Sequence, residues 1–184
     1  MSRRLKLLAV VLAAVGIWVA CQPTRSTDTF TIELFEDDFG FGGGMYFCEI
    51  DVADSTAARF ANWSGIRPDV VHQVGFEMRL SNTTSDTVRF TLFGAPGATG
   101  RAMTPQEAAA RSTASVGPLI VPPQTRYRLT YGRSFGLSGP DAAWRHLVQD
   151  GHFYLYGVNS EPPLPPSLSI DSLALVVLLT YDDF

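Results

Sequence analysis

The chain has 184 residues, 46% hydrophobic and 17% charged, which suits one ordinary domain plus a terminal segment and excludes a disordered chain. With 14 Lys and Arg against 18 Asp and Glu the net charge is −4, which argues against a nucleic-acid protein, since that would show a basic patch or stripe. Two cysteines exclude a disulfide scaffold and a four-cysteine zinc site.

The first residues, MSRRLKLLAVVLAAVGIWVAC, have the layout of a secretory signal. Arg3, Arg4 and Lys6 are a positive start, Leu7 to Ala20 are uninterruptedly apolar, and small Ala20 precedes Cys21. As a helix, Leu5–Ala20 would span roughly 24 Å, short of the ~30 Å hydrocarbon layer, which favours a cleaved signal over a permanent span. Trp18-Val19-Ala20-Cys21 resembles the lipobox of bacterial lipoproteins, with Trp18 where Leu is usual. The resemblance implies lipidation of Cys21 and an anchor in the bacterial cell envelope. Gln22 after the cysteine points to the outer membrane rather than to retention in the inner one. The expected organisation is a signal peptide over 1–20, a lipidated cysteine and tether over 21–29, and one domain over 30–184. Removing residues 1–20 leaves no lysine; every remaining basic side chain is arginine. The chain would then be markedly acidic, so the anchor would be the lipid rather than a polybasic patch.

Period-two patterns dominate the remainder. Phe30, Ile32 and Leu34 alternate with polar residues, as do Tyr46, Cys48, Ile50 and Val52. Val70, His72, Val74, Phe76, Met78 and Leu80 form one apolar face, with Val71 and Gly75 as exceptions. Val88, Phe90 and Leu92 follow a turn cluster, and Leu119–Val121, Tyr127–Tyr131, His152–Val158 and Leu173–Thr180 supply the later strands. Leu173–Thr180 is apolar on both faces and reads as a central strand. The expected fold is mostly β: a single antiparallel β-sandwich of about seven to nine strands. Two short helices interrupt it. Thr104-Pro105-Gln106-Glu107 is a capping box with proline first, set in an Ala-, Gly- and Ser-rich stretch that reads as an exposed loop. The second runs from Pro140 to Asp150, with Trp144, Leu147 and Val148 as one stripe able to cover an open end of the sandwich.

Phe76–Thr84, Val88–Leu92, Val121-Pro122-Pro123 and Gly151–Gly157 together resemble LEA14-like and related immunoglobulin-like sandwich domains of envelope proteins. The likeness implies a non-catalytic domain; the stretch from Gly94 to Gly117 departs from it.

Candidate chemistry is sparse. Gly132-Arg133-Ser134-Phe135-Gly136 matches the nucleophile elbow of serine hydrolases, but that motif works on a strand-to-helix turn of a parallel sheet. A glycine-flanked loop is the preferred reading. His72, His146 and His152 belong to no metal motif, and no cofactor is expected. Glu36-Asp37-Asp38 ahead of a glycine-rich loop has calcium-like oxygen donors without EF-hand spacing, and a solvated turn is preferred. Phe39 and Phe41 in the loop Phe39–Gly44, with Trp63, Tyr154 and Tyr156, are the candidate partner contacts. The resulting expectation is a lipid-anchored envelope protein that acts as a non-enzymatic interaction or accessory subunit for another envelope protein. A glycan-binding module built on the aromatics is the alternative, and a serine hydrolase using Ser134 ranks below both.

Overall fold

The computed structural model describes residues 24–52, 70–139, 141–159 and 168–183. Nine strands are present among them: β1 Thr24–Phe35, β2 Gly40–Gly42, β3 Met45–Asp51, β4 Val70–Asn82, β5 Val88–Pro96, β6 Ala114–Val121, β7 Thr125–Leu129, β8 His152–Asn159 and β9 Leu168–Asp183. The helices are α1 Pro105–Arg111, the single turn α2 Tyr131–Ser134 and α3 Asp141–Asp150. The strands form two antiparallel sheets, ordered β1-β9-β4-β7 and β2-β3-β8-β5-β6. The expected antiparallel sandwich is therefore present, and β9 is central, between β1 and β4.

The order has a simple origin. Leaving β2 aside, the first strand pairs with the last, β3 with β8, β4 with β7 and β5 with β6. One long antiparallel ribbon has rolled up so that its pairs fall alternately into two sheets, which is a jelly roll. This corrects the immunoglobulin-like expectation, in which strands ABED face CFG. Strand periodicity reports faces but not partners, so both topologies read alike in one dimension.

Inward side chains of both sheets make the main core. Phe30, Ile32, Phe76, Met78, Leu80, Leu175 and Val177 from the four-stranded sheet meet Ile50, Phe90, Leu92, Val121, Phe153 and Leu155 from the other. The Trp144, Leu147 and Val148 stripe of α3 is buried, as expected. The Trp144 ring meets Phe76 of β4 edge to face at 4.6 Å, and its Nε1 donates to the Ser115 carbonyl of β6 at 3.2 Å, so α3 spans both sheets.

Four local expectations are corrected. Residues 26–29, read as a tether, belong to β1, where Thr29 pairs with Leu178. The glycine-rich loop is a hairpin: β2 pairs with β3, and Gly43 and Gly44 both take positive φ in the two-residue turn, as a type I′ turn demands. His72 is exposed because the β4–β9 register shifts between Val71 and Gln73, leaving it as the extra residue of a bulge. The Gly94–Gly117 stretch is not an exposed loop. The 310 turn Gly97–Thr99 and α1 close over the outer face of the five-stranded sheet, where Met45, Ala95, Tyr156 and Val158 join Ala102 and Ala108 in a second small core.

Candidate binding surfaces

Cys21 and Trp63 lie outside the described residues. The remaining candidates separate by burial. Tyr156 is fully buried in the second core, and its hydroxyl accepts from Ala102 N–H at 2.8 Å. It is thus removed from the candidate contacts. Alternation puts Tyr154 and Tyr156 on one face of β8, opposite Phe153 and Leu155, but the segment that covers Tyr156 is that of Ala102, 54 positions earlier in the chain. Tyr154 beside it is half-buried, stacked on Tyr156 at 6.1 Å and edge-on to His152 at 5.6 Å. His152 Nε2 lies 2.7 Å from Glu49 Oε1 on the neighbouring strand. Phe39 is half-buried against the main core. Phe41 is 50% exposed, with its ring edge-on to Tyr46 at 5.1 Å. The two phenylalanines therefore do not act as a pair; only Phe41 is presented to solvent.

Ser134 is completely buried at the end of α2. Its hydroxyl donates to the Tyr131 carbonyl at 2.6 Å and accepts from Phe76 N–H at 3.0 Å. The last β4–β7 pair is Met78 with Leu129. Beyond it β7 has ended, and Ser134 supplies the acceptor that a longer strand would offer to Phe76. The glycine-flanked match is thus a structural plug at a sheet edge, and both hydrogen bonds hold the oxygen away from solvent. Asp38, from the acidic cluster, turns inward on its own chain and accepts from Phe35 N–H at 2.7 Å. Among the described residues no group of three or more His, Cys, Asp or Glu side chains could hold a metal. Cys48 is a buried free thiol, lifted from its ordinary 9.0 to about 11 first by burial and then by the charges of Asp38 and Glu49.

A feature that no sequence motif marks lies on the outer face of the four-stranded sheet. A groove of about 470 Å³ runs there, lined by residues of β1, β9, β4 and β7. Its floor is low because central β9 carries Ser172 and Ala174 between larger neighbours. One row across the sheet reads Phe35, Ser172, Arg79, Arg128; the next contains Glu33, Ala174 and Glu77. Phe35 is 57% exposed. Arg126, two residues before Arg128 on the same face of β7, extends the basic side. Arg128 has Glu77 at 4.0 Å, whereas no carboxylate of the described residues comes within that distance of Arg79 or Arg126. Asp171, at the second β4–β9 register shift, is held by the hydroxyls of Ser81 and Ser169 at 2.6 and 2.7 Å.

No family model and no curated protein matches the chain. Among solved structures the chain is similar to an empty head of Turnip Yellow Mosaic Virus, at 11% identity over 89% of this chain and 84% of that one, with a TM-score of 0.40. Similar too are Desmodium yellow mottle tymovirus (9% identity, 89% and 84% covered, TM-score 0.44) and a Bacillus endospore appendage of disulfide-linked pili (7%, 88% and 90%, TM-score 0.33). Likeness of this degree leaves function to the chain's own geometry.

Proposed function

We propose that the protein is a lipid-anchored subunit of the bacterial cell envelope, acting by non-enzymatic contact with another envelope protein. The reading is carried by the signal layout ending at Cys21 together with the start of β1 at Thr24. Only Gln22 and Pro23 lie between them, so an extended chain allows about 10 Å from the lipidated residue to the first strand. An acylated Cys21 would hold the β1–β9 end of the sandwich against the bilayer. The exposed ring of Phe41 favours a contact role, and burial of Ser134 with both of its hydrogen bonds made favours a structural over a nucleophilic task for that residue.

Mass spectrometry of the mature N-terminus tests the anchor. A diacylated or triacylated Cys21 is expected, with Cys21→Ser releasing the protein from membranes or leaving the precursor uncut. An unmodified mature terminus at another residue would overturn the reading.

A further inference from the structure

We infer that the groove on the outer face of the four-stranded sheet binds an anionic sugar chain, a site independent of the lipid anchor. Arg79 and Arg128 face each other directly across β4 and β7. Like charges in that position are destabilising, and only Arg128 has a carboxylate within reach among the described residues. Arg126 adds a third guanidinium to the same side. An anion held by the forks of Arg79 and Arg128 would relieve this repulsion, because guanidinium pairs with carboxylate or sulfate in bidentate geometry.

The opposite wall says which anion. Phe35 stands on the same cross-sheet row as Arg79, with Ser172 between them. Two strand spacings put their backbones about 10 Å apart. The slot therefore has an exposed aromatic face on one side, arginines on the other and a small hydroxyl side chain as floor. It is also lined by Asp171 and, on the next row, by Glu33 and Glu77, carboxylates that can accept from ring hydroxyls while the arginines take the charged substituent. A pyranose ring presents C–H groups to an aromatic face and a charged substituent at its rim, which fits both walls at once. A plain acidic peptide would use the arginines and leave Phe35 idle. The volume of about 470 Å³ is within the usual range of small-molecule sites.

Isothermal titration of the full chain in detergent tests this with four probes: hexagalacturonate, a heparin hexasaccharide, neutral maltohexaose and a hexaglutamate peptide. At least one charged sugar should bind ten-fold more tightly than hexaglutamate, with no measurable binding of maltohexaose; which one binds separates carboxylate from sulfate recognition. Arg79→Gln combined with Arg128→Gln should weaken the sugar at least ten-fold at an unchanged melting temperature. Phe35→Ala should weaken the sugar several-fold and leave hexaglutamate unaffected. Should the double variant melt early, Arg126→Gln at the sheet edge provides the charge test. The inference is overturned if neither charged sugar binds, if the arginine variants bind undiminished, or if hexaglutamate matches the sugars and Phe35→Ala changes nothing.

Discussion

Gly94 of β5 lies against the Trp144 indole so closely that an added Cβ would stand 2.5 Å from Cζ3 of the ring and 2.7 Å from Leu147 Cδ1. The close approach seats α3 on both sheets, and only a residue without a side chain permits it. Gly94→Ala should destabilise the fold by about 1–3 kcal/mol, the usual cost of overpacking a filled core. Urea unfolding measures it, and Trp144→Ala should cost more, about 3–5 kcal/mol, by emptying the same space.

Ser134 separates a structural hydroxyl from a catalytic one. Ser134→Ala leaves Phe76 N–H buried without its acceptor, which should lower unfolding free energy by about 1–3 kcal/mol. A nucleophile with no structural task would give the opposite pattern, full stability with an activity lost. Denaturant titration with an ester-hydrolysis assay on the same samples distinguishes them.

Phe39 and Phe41 should respond differently to the same change. Phe39→Ser removes a half-buried ring from the main core and should cost about 1–2 kcal/mol on the burial scale. Phe41→Ser, at an exposed position, should stay within about 0.5 kcal/mol. If Phe41 touches a partner, Phe41→Ser should reduce co-purification from solubilised membranes with the melting temperature intact.

Cys48 sets an alkaline limit. Its thiol loses a proton near 9.0 in the unfolded chain and near 11 in the folded one. Between those values the folded state holds the extra proton, so stability is full below pH 9 and falls as pH rises towards 11. Burial pushes the hydroxyls of Tyr46 and Tyr156 up as well, so they act in the same direction. Unfolding free energy measured from pH 7.5 to 10.5 should decline in this window, and Cys48→Val should flatten the decline. An equally steep decline in the variant would assign the effect to the tyrosines.

Alternation made most strands legible because each has one buried and one solvent-facing row: Phe30, Ile32 and Leu34 of β1 are buried as their spacing predicts. The bulge at His72 showed only as the exception at Val71, which is buried like Val74 three residues on, a break in period two that one extra residue explains. β2 escaped because glycine carries no side chain to alternate. Tyr156 was misplaced because a sequence reports the two faces of a strand but not what folds over each. The groove escaped for the same reason. Phe35, Arg79, Arg126 and Arg128 sit on the polar rows of three strands, each unremarkable alone, and only the pairing of β1 with β9, β9 with β4 and β4 with β7 brings Phe35, Arg79 and Arg128 to one row with Arg126 beside it.

The pairing of β1 with β9 bears on how the chain acquires its structure. β9 is the latest of the nine strands in the chain, yet it lies between β1 and β4, so this sheet has no interior until residues beyond 168 have arrived. Such non-local closure makes folding slow, on the scale of milliseconds to seconds. A chain cut before Leu168 would leave the facing edges of β1 and β4 open to other strands. For a chain exported as proposed above, the same requirement would be useful, since a polypeptide that cannot close its sheet early stays threadable until its C-terminal strand has crossed.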